Sequence, residues 1–287
     1  MELDKLAEGY TLIEGPVWHP DRGLIFSDVH AGGVYAVTDD GTVSTVFEHR
    51  RGIGGMALHA NGAGMVVSGR NIAYKPFDGG DTVELLALDQ SAGAVGFNDI
   101  TTDGHGRIYA GELGASPFAD DAGEVAGRLW LIDVDGSSQV VGHDVLLTNG
   151  LGFSPSGHTL YHSDSTRGVV MQYRVHDDGT LGPKEPFAEP ERGAPDGLVV
   201  AEDGTVWVAL AAGGHGVAVF DDLGEQVEHI EIPLPMCTSL CFGGSNLRRL
   251  YIVSGSDGVD RDTAGTVFVT ETPVAGLPVA PAQVPLG

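Results

Sequence analysis

The fold is decided by a pattern that is clearest in "SGHTLYHSDSTRGVVMQYRVHDDG", residues 156–179. A turn that carries glycine leads into a strand of alternating apolar residues, and a turn of small residues then leads into a second strand. The same order recurs at six places along the chain. The first strand of each pair begins near Leu24, Met65, Ile108, Leu160, Val206 and Leu250, in steps of 41 to 52 residues.

Each step has room for about four short strands, which is the size of one propeller blade. The sequence therefore predicts an all-β fold, a six-bladed β-propeller that forms a single domain over residues 1–287. Two β-sandwiches are the alternative, and the near-constant step argues against them. Because an open ring exposes strand edges, we expect the early strand in "YTLIEGPVW", residues 10–18, to join the last blade.

The charge of the chain narrows the choice of partners. Forty acidic residues against 15 basic ones give a net charge of −25. Such a chain repels phosphate backbones and anionic membrane surfaces, so nucleic acid and membranes are not expected partners, whereas cations are attracted. The N-terminal residues show no basic segment followed by an apolar one, and the two cysteines do not suggest a disulfide framework. These features lead us to expect a cytoplasmic protein.

Polar residues recur at one place in the repeat, just before each first strand. In a propeller this place lies on an innermost strand, so side chains from different blades converge on the central axis. The six positions read Glu14, Gly54-Gly55, Asn98-Asp99, Asn149, Asp196 and Thr238-Ser239, and four of them carry a carboxylate or a carboxamide. Any one Asn-Gly or Asp-Gly pair is typical of a β-turn. Taken together, the oxygen donors of Glu14, Asn149 and Asp196 predict a central site for one divalent cation, with Ca²⁺ favoured, Mg²⁺ or Mn²⁺ also suited, and Zn²⁺ less expected.

Several of these motifs also resemble a known family. The stretches "IEGPVW", "FNDI", "TNGLGFSPSGHTLYHSDS", "PDGLVVAEDGTVWVA" and "TSLCFGG" are similar to the senescence marker protein/gluconolactonase/regucalcin family, in the family's order and over essentially the whole chain. The resemblance implies a six-bladed propeller with a divalent cation in its channel. It also implies hydrolysis of lactones, especially sugar lactones, although a related branch hydrolyses organophosphates.

The resemblance also implies roles for individual residues. Glu14, Asn149 and Asp196 would bind the metal, Asp196 would also activate water, and Asn98 would contact the substrate or a bound water. One position departs from the family pattern. Sugar-lactone members often carry an arginine two residues before the residue that matches Asn98, and this chain has Gly96 there. A smaller or more apolar lactone or ester therefore becomes a candidate substrate.

The expected activity is metal-dependent opening of a lactone, with Asp196 and Asn98 as catalytic residues. Asp99 and Glu112 are further candidates for substrate contact, and either of them, or Asp164, is an alternative base. A non-enzymatic metal-binding propeller and a non-hydrolytic enzyme on the same scaffold remain alternatives. Residues 114–127, "GASPFADDAGEVAG", lie near the predicted channel as a lid or as a solvated loop.

Overall fold

A computed structural model describes residues 3–48, 50–89, 91, 93–118 and 124–287. Within these residues, 24 strands form six antiparallel sheets of four strands each. The sheets follow one another along the chain, and the hydrophobic core lies between neighbouring sheets. The prediction of an all-β six-bladed propeller is confirmed. The described part of the chain contains no helix with the length and apolar character that crossing a membrane requires.

The strands of the first three blades run outward from the central channel in chain order. In the first blade they are β2 (Ile13–His19), β3 (Gly23–Asp28), β4 (Val34–Val37) and β5 (Val43–Phe47). In the second they are β6 (Met56–Leu58), β7 (Gly64–Val67), β8 (Ile72–Pro76) and β9 (Val83–Leu86). In the third they are β10 (Gly96–Thr102), β11 (Ile108–Leu113), β12 (Gly127–Ile132) and β13 (Ser138–Val145).

The remaining blades have the same plan, except that the last one borrows a strand. The fourth contains β14 (Thr148–Phe153), β15 (Thr159–Asp164), β16 (Val169–Val175) and β17 (Leu181–Ala188). The fifth contains β18 (Ala194–Val200), β19 (Val206–Ala211), β20 (Gly216–Phe220) and β21 (Gln226–Glu231). The sixth contains β22 (Cys237–Gly243), β23 (Arg249–Ser254) and β24 (Gly265–Glu271), with β1 (Asp4–Tyr10) at its outer edge.

The ring is closed by β1, whose residue Asp4 pairs with Val269 and whose Tyr10 pairs with Gly265. This corrects the expectation that residues 10–18 join the last blade, because Ile13–His19 is instead the innermost strand of the first blade. The physical reason is burial. An apolar stretch such as "IEGPVW" is buried between neighbouring blades, whereas the closing strand lies at a solvated edge, where "DKLAEGY" is largely exposed.

Each repeated pair identified in the sequence begins with the second strand of a blade, counted outward from the axis. The innermost strand of each blade precedes that pair in the chain. Apolar side chains of neighbouring blades pack together, as where Ile13 and Phe26 of the first blade join Tyr251 and Val267 of the sixth in one buried cluster. This packing fixes the inner strands relative to one another. Side chains that point inward from different blades are therefore held at defined positions.

The C-terminal tail crosses one end of the channel. The backbone of Ala282 bridges to His59 of the second blade, and Gly276 bridges to Ala201 of the fifth. Residues 277–280 of this tail line a cavity of about 310 Å³ that also contains the continuations of the inner strands. The other cavity of the channel lies where the inner strands begin.

Candidate active site

The beginnings of the inner strands surround a cavity of about 980 Å³. Its polar lining includes Glu14, Asn98, Asn149 and Asp196, so the structure brings together four of the predicted site residues. Much of the remaining wall is apolar. A large cavity with apolar walls and a few convergent polar groups is the usual form of a small-molecule site.

Bulges in the inner strands turn these polar side chains towards the axis. The regular pairing with the second strand breaks between Glu14 and Val17 in the first blade and between Phe97 and Ile100 in the third. It breaks again in the fourth blade, just after Thr148, and in the fifth, just after Pro195. A bulge adds a residue that has no direct partner and re-aims the side chains around it. This is why consecutive polar residues occur in strands that are otherwise buried and apolar.

Two glycines make room for this arrangement. A Cβ at Gly54 would overlap Oδ1 of Asn98, and one at Gly150 would overlap the backbone nitrogen of Leu198. At this position of the repeat the second blade has Gly54 in place of a polar residue, and that glycine provides the space that the Asn98 carboxamide fills. Glycine is required at these points because the neighbouring inner strands approach closely.

The two carboxamides of the site are joined by hydrogen bonds. Asn98 Nδ2 donates to the backbone oxygen of Thr148 over 2.8 Å and to Oδ1 of Asn149 over 2.5 Å. Asn149 Nδ2 donates to Oγ of Ser165 over 2.7 Å, and that hydroxyl donates to the backbone oxygen of Pro195 over 2.6 Å. The chain of bonds links three blades. It leaves one lone pair of Asn149 Oδ1 free for another ligand.

Three carboxyl groups are buried at the centre. The exposed fractions of Glu14, Asp99 and Asp196 are 8%, 8% and 5%. Burial raises the pKa of Asp99 to about 7. The pKa of Glu14 and of Asp196 lies well above the usual value, chiefly because both groups are buried and in addition because neighbouring carboxylates repel their negative charge. Among the described residues, Asp196 Oδ1 is a buried oxygen without a hydrogen-bond partner.

These residues fit a hard divalent cation. Glu14 and Asp196 supply carboxylate oxygens, Asn149 supplies a carboxamide oxygen, and the orphaned Asp196 Oδ1 needs a positive partner. In the part of the chain that the structure describes, no group of three or more His, Cys, Asp or Glu side chains is arranged to hold a metal ion. A cation here would therefore depend on the neutral oxygen of Asn149 and would leave further positions for water or substrate.

The structure does not bring Glu112 to this cavity. Its side chain is 3% exposed, and both of its oxygens are occupied. Oε1 accepts a hydrogen bond from Nε of Arg128 over 2.7 Å, while Oε2 accepts from Arg128 and from the indole of Trp130, each over 2.8 Å. Glu112 therefore binds β11 to β12 within the third blade through Arg128 and Trp130.

Asp99 and Asp164 are also placed away from the large cavity. Asp99 lines the smaller cavity at the other end of the channel, behind Glu14 and Asp196. Asp164 accepts hydrogen bonds from the backbone of Leu146 and Leu147 and forms an ion pair with Arg167. Asp164 therefore holds the turn that precedes β14.

The wall of the large cavity includes residues that the sequence motifs do not predict. Arg51 and Arg70 line it from two connections of the first and second blades. Each is next to a glycine, in "RRG" and "SGR", on the side of the propeller where the site motifs begin. Arginine beside glycine in these loops is a signal that could have identified them.

The segment expected to form a lid or a solvated loop is partly described. Residues 116–118 line the cavity, and the side chain of Phe118 is 60% exposed with its ring 4.5 Å from that of His30. Residues 119–123 of the same segment lie outside the described residues. The choice between a lid and a loop stays a prediction.

Comparison with known proteins relates the whole propeller to one family. The profile of the SMP-30/gluconolactonase/LRE-like region matches residues 12–256. A 6-deoxy-6-sulfogluconolactonase of Pseudomonas putida is 32% identical, over 92% of each chain. The pentonolactonase XacC of Haloferax volcanii is 29% identical, over 96% of this chain and 95% of its own. The structure of a calcium-binding regucalcin of Agrobacterium tumefaciens superposes with a TM-score of 0.83 at 21% identity, over 97% and 96% of the two chains.

Proposed function

The chain belongs to the SMP-30/gluconolactonase/LRE-like family, and from this premise we propose that it is a divalent-metal-dependent hydrolase that opens a lactone or a related cyclic ester. The observation that carries the proposal is the convergence of Glu14, Asn149 and Asp196 with Asn98 in one large cavity. Two relatives over nearly the whole chain are named as lactonases, which supports the same reaction class.

The donor set favours Ca²⁺ as the cation, held by Glu14, Asn149 and Asp196, with Zn²⁺, Mn²⁺ or Mg²⁺ as alternatives. A structural neighbour is a calcium-binding protein, which supports this choice. When bound, the cation would supply polarisation of the lactone carbonyl and stabilisation of the developing oxyanion.

Asp196 is the proposed general base. Its carboxylate has two oxygens, so Oδ1, which has no hydrogen-bond partner among the described residues, can face the cation while the other oxygen accepts a proton from an attacking water. Asp99 lines the other cavity and is therefore less well placed to reach a lactone in the larger one.

Asn98 has a narrower role than the sequence suggests. Both hydrogens of Nδ2 are committed to Thr148 and Asn149, so Asn98 can offer only its Oδ1 to a ligand. An acceptor of this kind orients a water or a substrate hydroxyl. It does not bind a carbonyl oxygen, for which a donor is needed.

The test is proton release in a weakly buffered solution over a panel of lactones, polar and apolar. Each assay is run with Ca²⁺, Mg²⁺, Mn²⁺ or Zn²⁺ and again after chelation. We expect release that depends on the cation and is lost in Asp196→Asn. Tight binding of one cation with no hydrolysis of any lactone would contradict the proposal and favour a non-enzymatic metal-binding propeller.

A further inference from the structure

Two arginines stand in the wall of the large cavity, and neither has an acidic partner among the described residues. Arg51 and Arg70 are exposed, and within the described residues the structure gives neither guanidinium an ion pair or a hydrogen bond. Arginines 107, 128, 167 and 249 of this chain, by contrast, pair with carboxylates. In a chain with 40 acidic and 15 basic residues, two guanidiniums in one cavity that have no partner in the described part of the chain need an explanation.

The backbone holds both arginines in place. On one side of Arg51, the oxygen of Arg50 accepts a hydrogen bond from Gly33 over 2.9 Å, and on the other side Gly52 donates to Val29 over 3.0 Å. The stem of Arg51 lies against Gly32, where a Cβ would come within 2.9 Å of it. The connection that carries Arg51 is therefore anchored to the turn before β4.

The loop that carries Arg70 lies against that connection. A Cβ at Gly69 would lie 2.9 Å from the backbone oxygen of Gly52, so the two arginine-bearing loops touch. The oxygen of Gly69 also accepts a hydrogen bond from Phe97 over 2.6 Å, which fixes the loop to the third blade. Gly96 has no side chain to cover this part of the wall. Both side chains thus extend from backbones that are held in place, and their guanidiniums contact no partner within the residues that the structure describes.

The remaining charges of the cavity favour an anionic ligand. Among the described residues, the other charged groups that line it are Glu14, Asp196 and Asp257. Glu14 and Asp196 are buried and are the proposed ligands of a divalent cation, whose charge would offset both carboxylates. The described part of the wall would then present two guanidiniums against the one carboxylate of Asp257. Guanidinium groups bind carboxylates, sulfonates and phosphates through strong, directional hydrogen bonds.

We infer that the substrate carries an anionic substituent remote from the lactone carbonyl, and that Arg51 and Arg70 bind it. The inference rests on the proposed function and names its substrate class. A cavity of about 980 Å³ has room for a sugar-sized lactone that reaches from the buried carboxylates to the arginines. The attraction of the arginines would also offset the repulsion that a chain of net charge −25 exerts on an anion.

The test compares lactones that differ in one substituent. We would measure kcat and KM for D-glucono-δ-lactone, its 6-phosphate, its 6-deoxy-6-sulfonate and the corresponding 6-carboxylate. The proteins are the wild type, Arg51→Gln, Arg70→Gln and the double variant. Arg174→Gln is the matched control, because Arg174 is an exposed arginine on β16 that lines neither cavity.

We expect the wild type to prefer an anionic lactone, and the order among the three anions identifies the group. Each cavity variant should raise KM for that lactone about tenfold, with a much smaller effect on the neutral lactone, since tenfold corresponds to about 1.4 kcal/mol, within the range of a charge-assisted hydrogen bond. Arg174→Gln should change neither. A preference for the neutral lactone, or equal effects on neutral and anionic lactones, would overturn the inference.

A binding measurement separates this inference from the proposed function. The ring-opened 6-phosphate acid is titrated into each protein by calorimetry in the presence of Ca²⁺, at low and high salt. We expect binding that weakens with salt and is about tenfold weaker in each cavity variant. Failure to hydrolyse any lactone would defeat the proposed function, whereas hydrolysis without discrimination by charge, or binding that the variants do not weaken, would defeat only the role of the arginines.

Discussion

Asn98 Nδ2 donates a hydrogen bond to Oδ1 of Asn149 over 2.5 Å, and this bond joins the innermost strands of the third and fourth blades inside the large cavity. The same nitrogen donates to the backbone oxygen of Thr148 over 2.8 Å. Asn98 therefore fixes which way the Asn149 carboxamide points. If Asn149 binds a cation through Oδ1, Asn98 controls the geometry of that ligand as well as its own contact with water or substrate.

Replacement of Asn98 by alanine should reduce both activity and stability. Asn98→Ala leaves Asn149 Oδ1 and the Thr148 oxygen without their donor, a loss of about 1–3 kcal/mol for buried groups. We expect kcat/KM for the best lactone to fall about ten- to a hundredfold and calcium affinity to fall more modestly. Asn61→Ala is the control, because Asn61 also donates to a side chain, Tyr74, but lines neither cavity. Unchanged kcat/KM in Asn98→Ala would contradict this role.

Replacement of Gly54 by alanine should act through Asn98. Its Cβ would overlap Asn98 Oδ1, so the carboxamide must leave its position. We expect Gly54→Ala to reduce kcat/KM about as much as Asn98→Ala does and to reduce the free energy of unfolding by about 1–3 kcal/mol. In the double variant the overlapping oxygen is absent, so the two effects should be clearly less than additive.

The control for Gly54 is Gly104→Ala, because a Cβ at Gly104 meets no atom within 4 Å. Its free energy of unfolding should change by no more than about 0.5 kcal/mol. Chemical denaturation and steady-state kinetics on the wild type, the two single variants, the double variant and the control give the comparison. Additive effects of Gly54→Ala and Asn98→Ala would show that the glycine does not act on the carboxamide.

The number of blades and the four polar residues of the site could be predicted because both follow from local sequence patterns. A turn, an alternating strand and a second strand recur with a near-constant step, and each inner strand buries its apolar residues between two blades. Glu14, Asn98, Asn149 and Asp196 share one place in that repeat, so convergence follows from the geometry of a ring.

Other features depend on which strands pair with each other, and this pairing cannot be inferred from the sequence. The closing strand has no apolar pattern, since β1 lies at an outer edge. The bulge at Phe97–Ile100 leaves two consecutive residues without direct partners, and it places Asn98 and Asp99 at opposite ends of the channel. Glu112 resembles a site residue in "YAGEL", but its partner Arg128 lies on the neighbouring strand, where only the fold brings the two together.

Glu112 should prove to be a stability residue. Glu112→Gln keeps the shape but places an amide against Arg128, so it breaks the bidentate pair and weakens the bond from Trp130. We expect the free energy of unfolding to fall by about 1–3 kcal/mol, with KM for the lactone unchanged. Thermal melts of this variant measure the loss of stability, and steady-state kinetics measure KM for the lactone. An increase in KM without loss of stability would restore the earlier assignment of Glu112 to substrate binding.

The central carboxyl groups should make cation-free protein less stable as the pH rises. A carboxyl whose pKa is raised in the folded state binds its proton more tightly there, so its contribution is present below the unfolded pKa, near 4, and is lost as the pH rises through the folded value. For Asp99 that value is about 7, and the pKa of Glu14 and of Asp196 is also raised. For Asp99 the loss should therefore develop between about pH 4 and 7, and the raised pKa of Glu14 and of Asp196 should add to it in the same direction.

A bound cation should reverse this loss. Calcium at about a hundred times its Kd stabilises the folded state by about 2.7 kcal/mol, and protons compete for the same oxygens. Thermal melts at pH 5 and pH 8, with calcium or with chelator, should show a larger calcium-induced rise in Tm at pH 8. An equal or larger rise at pH 5 would contradict the assignment of these carboxylates to the cation.

Asp196→Asn should change stability and activity in opposite directions. Asp196 is buried beside Asp99 and Glu14, and its Oδ1 has no hydrogen-bond partner among the described residues, so its ionisation destabilises the cation-free fold as the pH rises. Removal of that charge should raise the Tm in chelator at pH 8. The same change removes a ligand and the proposed base, so calcium affinity should fall more than tenfold and lactone hydrolysis should be lost.

Asp103→Asn is the matched control, because Asp103 is equally buried but is paired with Arg107 over 2.6 Å. That variant should lose about 3–5 kcal/mol with or without calcium. A lower Tm for Asp196→Asn in chelator would mean that Asp196 stabilises the fold as an ordinary structural carboxylate, and the case for a cation between the inner strands would fail with it.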